Sequence, residues 1–376
     1  MSPSTPLFPR RAGARATPWV AVVALVALAA AAGGCEHDRV TYEESSQTTM
    51  ALGPQTTVLV ENMRGTVKLV SGDSSTVRVE ARKRAYAVTE KAARRFASEV
   101  SVHVDRVGDR FEIHVEYPKR MARSNVRVEV FGQDVYRRRV DVELTVRVPR
   151  GVPIRVETRS ADLVADETEG PLDFDTTSGD ATIEKHDGPL VVHSTSGDIE
   201  ATLVNGALTM NTTSGDLQVE KVAGALTYES TSGDLVAHVV EGAVTAKTVS
   251  GDVSVGRGTG VARVTTVSGD VELRNASGDL QASSSSGDVS AVVQGTMQAI
   301  SIETTSGDVD LELPGTLLGK LEVRTSSGEV EAQLPMTLER ATRRQLDAVL
   351  GPGAPLTTIH TSSGDVLIGT VSETKS

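Results

Sequence analysis

"TTSGDLQVEKVAGALTYESTSGDLVAHVVEGAVTAKTVSGDV", residues Thr212 to Val253, returns one tripeptide, Ser-Gly-Asp, every 18 residues. The glycine of Ser-Gly-Asp or Ser-Gly-Glu falls at Gly179, Gly197, Gly215, Gly233, Gly251, Gly269 and Gly287 at that interval. It then recurs at Gly307, Gly328 and Gly364, at intervals of 20, 21 and 36. A second glycine stands nine residues after the first at Gly188, Gly206, Gly224, Gly242, Gly260 and Gly278. The unit is therefore nine residues, one strand plus one corner, and two units make an 18-residue turn. A catalytic motif does not need so many copies, whereas a fixed period of this size is the mark of a solenoid.

Side-chain patterning agrees. Two and four residues after the Ser-Gly-Asp glycine stand apolar pairs such as Leu217 and Val219, Leu235 and Ala237, Val253 and Val255, and Val271 and Leu273. The second glycine is followed in the same way by Leu190 and Val192, Leu208 and Met210, and Leu226 and Tyr228. Alternation of this kind gives strands with one buried face. Each strand is too short to stand alone and must stack on its copy in the next turn. The fold class expected is all-β, a single-chain parallel β-helix, with Leu217, Leu235 and Val253 in one internal file.

At the corners, glycine is expected to supply a positive φ, and Asp to bond local backbone N–H groups. Turns stack at about 4.8 Å, so Asp180, Asp198, Asp216, Asp234, Asp252, Asp270, Asp288 and Asp308 should form a column, extended by Glu329 and Asp365. Neighbouring carboxylates about 5 Å apart repel by nearly 1 kcal/mol in water before screening. Either each carboxylate caps its own corner, or calcium bridges successive ones through hard oxygen ligands. No other cofactor and no metal site is expected.

The formal net charge of −12 argues against a nucleic-acid partner. Aromatic residues make up only 3% of the chain, so small aliphatics must fill a narrow core. The sole cysteine, Cys35, excludes an intrachain disulfide. It follows Arg10, Arg11 and Arg15 and the apolar run Trp19 to Ala32, which together read as a secretory signal over residues 1–34. The ending "AAGGC" resembles the lipobox of bacterial lipoproteins, with Ala32 where Leu is usual. That resemblance implies cleavage before Cys35, acylation of its thiol and membrane attachment. Residues 35–52 are polar and acidic and read as a tether.

Residues 53–150 read as a β-rich region with one helix near 89–100, capped by Thr89 and apolar at Ala92, Phe96 and Val100. Its later part is basic. Lys119, Arg120, Arg123, Arg127, Arg137, Arg138, Arg139, Arg147 and Arg150 are opposed by four acids between Pro118 and Arg150. Arg137, Arg138 and Arg139 are the candidate patch for phosphates or acidic glycans, against the alternative of an ordinary solvent face of strands. Repeats are expected over 151–332. Residues 333–356 then break the pattern, and Thr337, Leu338, Ala341, Leu346 and Val349 suggest a helical insertion that caps the solenoid or lies along it. Residues 357–370 read as the final rung and 371–376 as a tail.

The alternating first half, the "VPRGVPIRVET" hinge, the "TSGD" rungs and the ending "TTIHTSSGDV" resemble the bacterial putative-adhesin family of β-strand-repeat domains, whose function is not established. The resemblance spans about Thr56 to Ile368 and implies a single-chain parallel β-helix without catalytic residues. The sequence shows no Ser-His-Asp signature, phosphate loop or Cys/His zinc spacing. The expected function is a non-enzymatic, lipid-anchored adhesin-like module of the cell envelope that binds or scaffolds glycans or proteins. A β-helix enzyme acting on acidic polysaccharide and an envelope-stress accessory are the alternatives. His186, His193 and His238 lie on the solenoid, with His193 near Asp198 in sequence.

Overall fold

The computed structural model describes residues 21–28 and 40–371, apart from 54–55, 74, 119–128, 131–132, 135–138, 296, 298 and 353–355. From Leu190 to Ala276 each 18-residue turn contributes one four-residue strand and one six-residue strand. Leu208–Asn211 and Leu217–Val222 are an example. Each of these strands pairs in parallel with its copy in the next turn, 18 residues on in the regular part, so Leu217 faces Leu235 and Leu235 faces Val253. All three are buried, with 1% of their surface exposed at most. Short alternating strands thus become two stacked walls around one aliphatic interior. Tyr228 is the largest fully buried side chain there, and its hydroxyl donates to the Gly215 carbonyl at 3.1 Å. Burial raises the Tyr228 pKa to about 12, so the ring stays neutral. A third inward position, absent from the simple alternation, closes each longer strand at Val204, Val222 and Val240. There the chain bends into the second corner and the period of two is lost.

The corner glycines work differently from the expectation. None of the Ser-Gly-Asp glycines lies in the left-handed region. Their requirement is space along the stack: a Cβ on Gly251 would overlap the carbonyl oxygen of Gly233 in the rung below. The hydroxyl three residues before the glycine completes the turn. Thr212 Oγ1 accepts from Gly215 N at 2.9 Å, Ser230 Oγ from Gly233 N at 2.7 Å, and Thr248 Oγ1 from Gly251 N at 3.0 Å.

Residues 53–150 are continuous with the solenoid, which begins before Gly151. Strand Thr57–Gly72 pairs in parallel with Ile154–Asp166 from Val58↔Ile154 to Val70↔Asp166. On its other side it meets Arg110–Glu116 and Arg139–Pro149, again in parallel. Antiparallel strands then close this end: Thr76–Ala87 on Arg139–Pro149, and Val40–Ala51 on Thr76–Ala87. The expected tether is therefore largely a twelve-residue strand, Val40–Ala51, which buries Tyr42 and pairs with Thr76–Ala87 along its whole length. Ala21–Leu28, within the apolar run assigned to the signal, lies antiparallel to that strand. The helix Glu90–Ser98 packs on Val40–Ala51 and Thr76–Ala87, and Thr89 Oγ1 accepts from Ala92 N at 3.3 Å. Its buried face is Ala93 and Ala97, followed by Val100. Ala92 and Phe96, the expected face, flank it half-buried.

The expected helix after residue 333 is not formed. Thr337–Ala341 and Gln345–Gly351 are strands of a hairpin. Gln345–Gly351 runs antiparallel to Gly319–Thr325, and its inward residues Leu346 and Ala348 follow a period of two. The turn of this hairpin finishes the stack, with Thr325 N donating to Arg344 O and Val330 N to Arg343 O, both at 2.9 Å. Residues 357–370 are last in sequence but not last in space. Leu356–Thr361 sits between Ala299–Thr304 and Gly319–Thr325, and Val366–Thr370 between Val309–Leu313 and Val330–Ala332. The C-terminal rung thus slots between two rungs formed earlier in the chain.

Candidate functional site

The Ser-Gly-Asp column is a hydrogen-bonded ladder. Asp198 N donates to Asp180 Oδ1 at 3.0 Å, Asp216 N to Asp198 Oδ1 at 3.0 Å, and Asp234 N to Asp216 Oδ1 at 2.8 Å. The series continues through Asp252, Asp270, Asp288, Asp308 and Asp365 to Glu329. It begins one rung earlier, with Asp180 N on Asp162 Oδ1 at 3.2 Å. Each carboxylate accepts from the next rung and not from its own corner. A charge-assisted bond to a backbone N–H offsets the like-charge repulsion along the column. With that oxygen already engaged, millimolar calcium is expected to raise the melting temperature no more than sodium at equal ionic strength. A larger rise with calcium would show that cations bridge the column.

The solenoid histidines separate into two kinds. His186 points inward at 0% exposure; Nδ1 shares a hydrogen bond with Thr168 Oγ1 at 2.9 Å, and Nε2 lies 3.3 Å from Pro189 O. Burial lowers its pKa, partly offset by the Pro189 carbonyl. Folding therefore favours the neutral ring, and the unfolded chain takes up the proton first as pH falls through about 6.5. Stability from this site is complete above that pH and declines below it, by no more than about 1.4 kcal/mol per pH unit for one proton. The wild type is expected to lose more melting temperature between pH 7.5 and 5.5 than Thr168→Val/His186→Val, which continues the valine file of Val204 and Val222. Parallel acid limbs would refute this.

His193 and His238 point outward. His238 Nε2 is 3.8 Å from Glu220. His193 does not bond Asp198; it lies beside Asp173 and Asp175, with the three ligand atoms within 4.8 Å of one another. Asp175 faces His193 in register, and Asp173 faces Arg155. Arg155 bonds Glu157 at 2.8 Å and Asp173 at 2.9 Å, and also reaches Asp175. Burial and the neighbouring Asp173 push the Asp175 carboxyl upward against the pull of Arg155. A guanidinium already fills the charge centre of this cluster, which makes it a structural ion-pair network.

Arg137 and Arg138 of the candidate basic patch lie outside the described residues, as do Lys119, Arg120, Arg123, Arg127 and the candidate lipidation residue Cys35. Arg139 is bound to Asp141 at 2.7 Å. Arg150 is bound to Asp73 at 2.8 Å and to Glu169 at 3.4 Å. Arg139 and Arg150 are thus neutralised by close acids, and the described part of the basic segment presents less free charge than its composition suggests.

A groove of about 730 Å³ lies near the end of the stack, where the hairpin turn rises beside the corner. Two files of outward side chains line it. Ser283, Glu303, His360, Arg324 and Gln345 occupy registered positions on five adjacent strands. Beside them the corner hydroxyls of Ser285, Thr305, Ser362 and Ser326 follow the same spatial order. Thr342 and Arg344 form the wall. The deeper hydroxyls of Thr304, Thr325 and Thr361 are committed to corner N–H groups at 3.0–3.1 Å. The upper hydroxyls face solvent. Among the described residues, Glu303 is the one carboxylate lining the groove. Sequence reasoning missed this site because it depends on the hairpin and on the inserted C-terminal rung. The hydroxyl triplets Ser283–Ser285 and the Arg343–Arg344 pair were its only local signals.

Parallel pairing, a single aliphatic interior and hydrogen-bonded corner columns define the class: a single-chain β-solenoid. Matches to the family model described as Toastrack DUF4097 cover residues 67–260 and 256–369, and the chain belongs to that family. Among solved structures, a "putative adhesin" from Parabacteroides distasonis is similar at 11% identity, covering 71% of this chain and 96% of that one, with a TM-score of 0.36. A "putative lipid binding protein" from the same organism shows 11% identity, 72% and 97% coverage, and a TM-score of 0.34. A "putative adhesin" from Parabacteroides merdae shows 10% identity, 72% and 96% coverage, and a TM-score of 0.29. No curated protein matches the chain. Among the described residues, no helix is long and apolar enough to cross a membrane.

Proposed function

We propose that this chain is a non-enzymatic binding module of the cell envelope, adhesin-like in action and anchored through lipid on Cys35. The observation that carries the binding role is the open, hydroxyl-lined groove on an otherwise regular rod. Its polar groups repeat at the strand spacing, as a polymer's do. Hydrolysis of a glycosidic bond usually employs two carboxylates flanking it, and among the described residues Glu303 is the one carboxylate lining the groove. The rigid repeated face suits an extended partner better than a compact one.

The anchor rests on the sequence ahead of Cys35, three arginines followed by an apolar run. Two or three acyl chains hold a protein firmly, at about 0.8 kcal/mol per buried methylene. Cleavage there would also release Ala21–Leu28 and free one edge of Val40–Ala51. The wild type is expected to incorporate labelled palmitate and the Cys35→Ser protein to incorporate none. A wild type without label would remove the anchor from this reading.

The binding role is tested by presenting envelope polymers and a glycan panel to the protein from residue 36 onward. Saturable retention without product release supports the module. Release of cleaved sugar would make it an enzyme, and failure to retain any polymer would end the proposal.

A further inference from the structure

Building on the binding role proposed above, we infer that the groove beside the C-terminal hairpin binds an acidic polysaccharide, with the guanidinium groups of Arg324 and Arg344 holding a sugar carboxylate.

The charge arrangement singles this place out. The protein as a whole is acidic, at −12. Most arginines whose contacts are described in the solenoid are tied to neighbouring acids, as Arg155 and Arg274 are. Arg324 and Arg344 both line the groove, both are exposed, and neither has an ion-pair partner among the described residues. Arg324 stands between His360 and Gln345 in register, while Arg344 is held at the hairpin turn, where its carbonyl accepts from Thr325 N at 2.9 Å. Two arginines lining one groove suit a carboxylate, which guanidinium binds through paired N–H donors. Glu303 gives the groove one negative charge against two fixed positive ones, so it is locally cationic.

The hydroxyl file supplies the remaining recognition. Ser285, Thr305, Ser362 and Ser326 repeat at the strand spacing of about 4.8 Å, which is close to the advance of one sugar in an extended chain. Each hydroxyl donates and accepts, and Glu303 accepts from sugar hydroxyls. A uronate polymer offers both features at once, a carboxylate and a row of hydroxyls on every residue. A nucleic acid offers neither a carboxylate nor a comparable density of hydroxyls.

The experiment compares a tetragalacturonate with its fully methyl-esterified form, by calorimetry on the protein from residue 36 onward. The two ligands share linkages and hydroxyls and differ at C6, where a neutral methyl ester replaces each carboxylate. Binding of the acid is expected to exceed that of the ester at least about ten-fold, in line with the loss of one charge-assisted bidentate contact. Arg324→Gln/Arg344→Gln should bring the acid down to the level of the ester. Both side chains are exposed, so the variant should melt within a degree or two of the wild type. A Ser232→Ala control on a distant corner should leave binding unchanged. Equal affinity for acid and ester, or undiminished binding by the double variant, overturns the groove assignment. The general binding role survives that result if another envelope polymer is still retained, and falls only if none is. An unsaturated or shortened product that disappears with the double variant would keep the site but overturn the non-enzymatic reading.

Discussion

Gly251→Ala is expected to destabilise the solenoid by at least about 3 kcal/mol, the upper range for overpacking a rigid site. The added methyl would overlap the Gly233 carbonyl oxygen. That oxygen belongs to stacked backbone, so no side-chain rotation relieves the clash. Opening the corner would also lengthen the bonds from Gly251 N to Thr248 Oγ1 and from Asp252 N to Asp234 Oδ1, now 3.0 and 2.8 Å. Gly315→Ala is the matched control, because a Cβ there meets nothing within 4 Å. It should change stability by less than about 0.5 kcal/mol. Thermal unfolding of both variants decides the matter, and similar midpoints would show that the stack tolerates a methyl at the corner.

The second large effect is expected from deleting residues 356–376. Their removal takes away Ile359 and Ile368, both fully buried, and the strands that join Ala299–Thr304 to Gly319–Thr325 and Val309–Leu313 to Val330–Ala332. An empty slot remains, flanked by two rows of unpaired backbone groups. Solenoid stability is close to a sum over neighbouring turns, so the damage should stay local. Residues 319–351 are expected to become sensitive to brief proteolysis, while the turns from Ile154 to Leu313 survive as a resistant core. Resistance throughout would mean that the terminal turn docks directly on its neighbour without the inserted one. Complete digestion would mean that the solenoid folds as a single cooperative unit.

Much of this architecture was readable from periodicity. The file Leu217, Leu235 and Val253 follows from apolar residues recurring at 18, and a strand stack is the one arrangement that buries them all. The corners were read at the right residues for partly wrong reasons. Glycine is needed there for close approach and not for a left-handed φ, a distinction that spacing cannot make. The turn hydroxyl lies three residues before the glycine, at positions occupied by Thr or Ser in every regular repeat from Thr176 to Thr304.

The region after residue 333 misled for a physical reason. Leu338, Ala341, Leu346 and Val349 match a helical face in spacing, but the edge of Gly319–Thr325 offers backbone partners that a helix cannot use. Pairing overrides the local preference, leaving Leu338 56% exposed and burying Leu346 and Ala348 instead. The interval of 36 between Gly328 and Gly364 fits two periods, yet nothing in it reveals that the later segment lies inside the earlier one. The groove depends on that placement and was equally illegible.

The constant register from Gly179 to Gly287 has an evolutionary consequence. Excising or duplicating one 18-residue block there leaves every surviving rung facing a neighbour of the same kind, with its corner and interior file intact. Blocks that share the Ser-Gly-Asp corner, the second glycine and the inward apolar positions can be gained or lost whole without changing how the rest stack. Length is therefore the property that natural variants of this rod should change most readily, while both closing ends and the groove stay as they are.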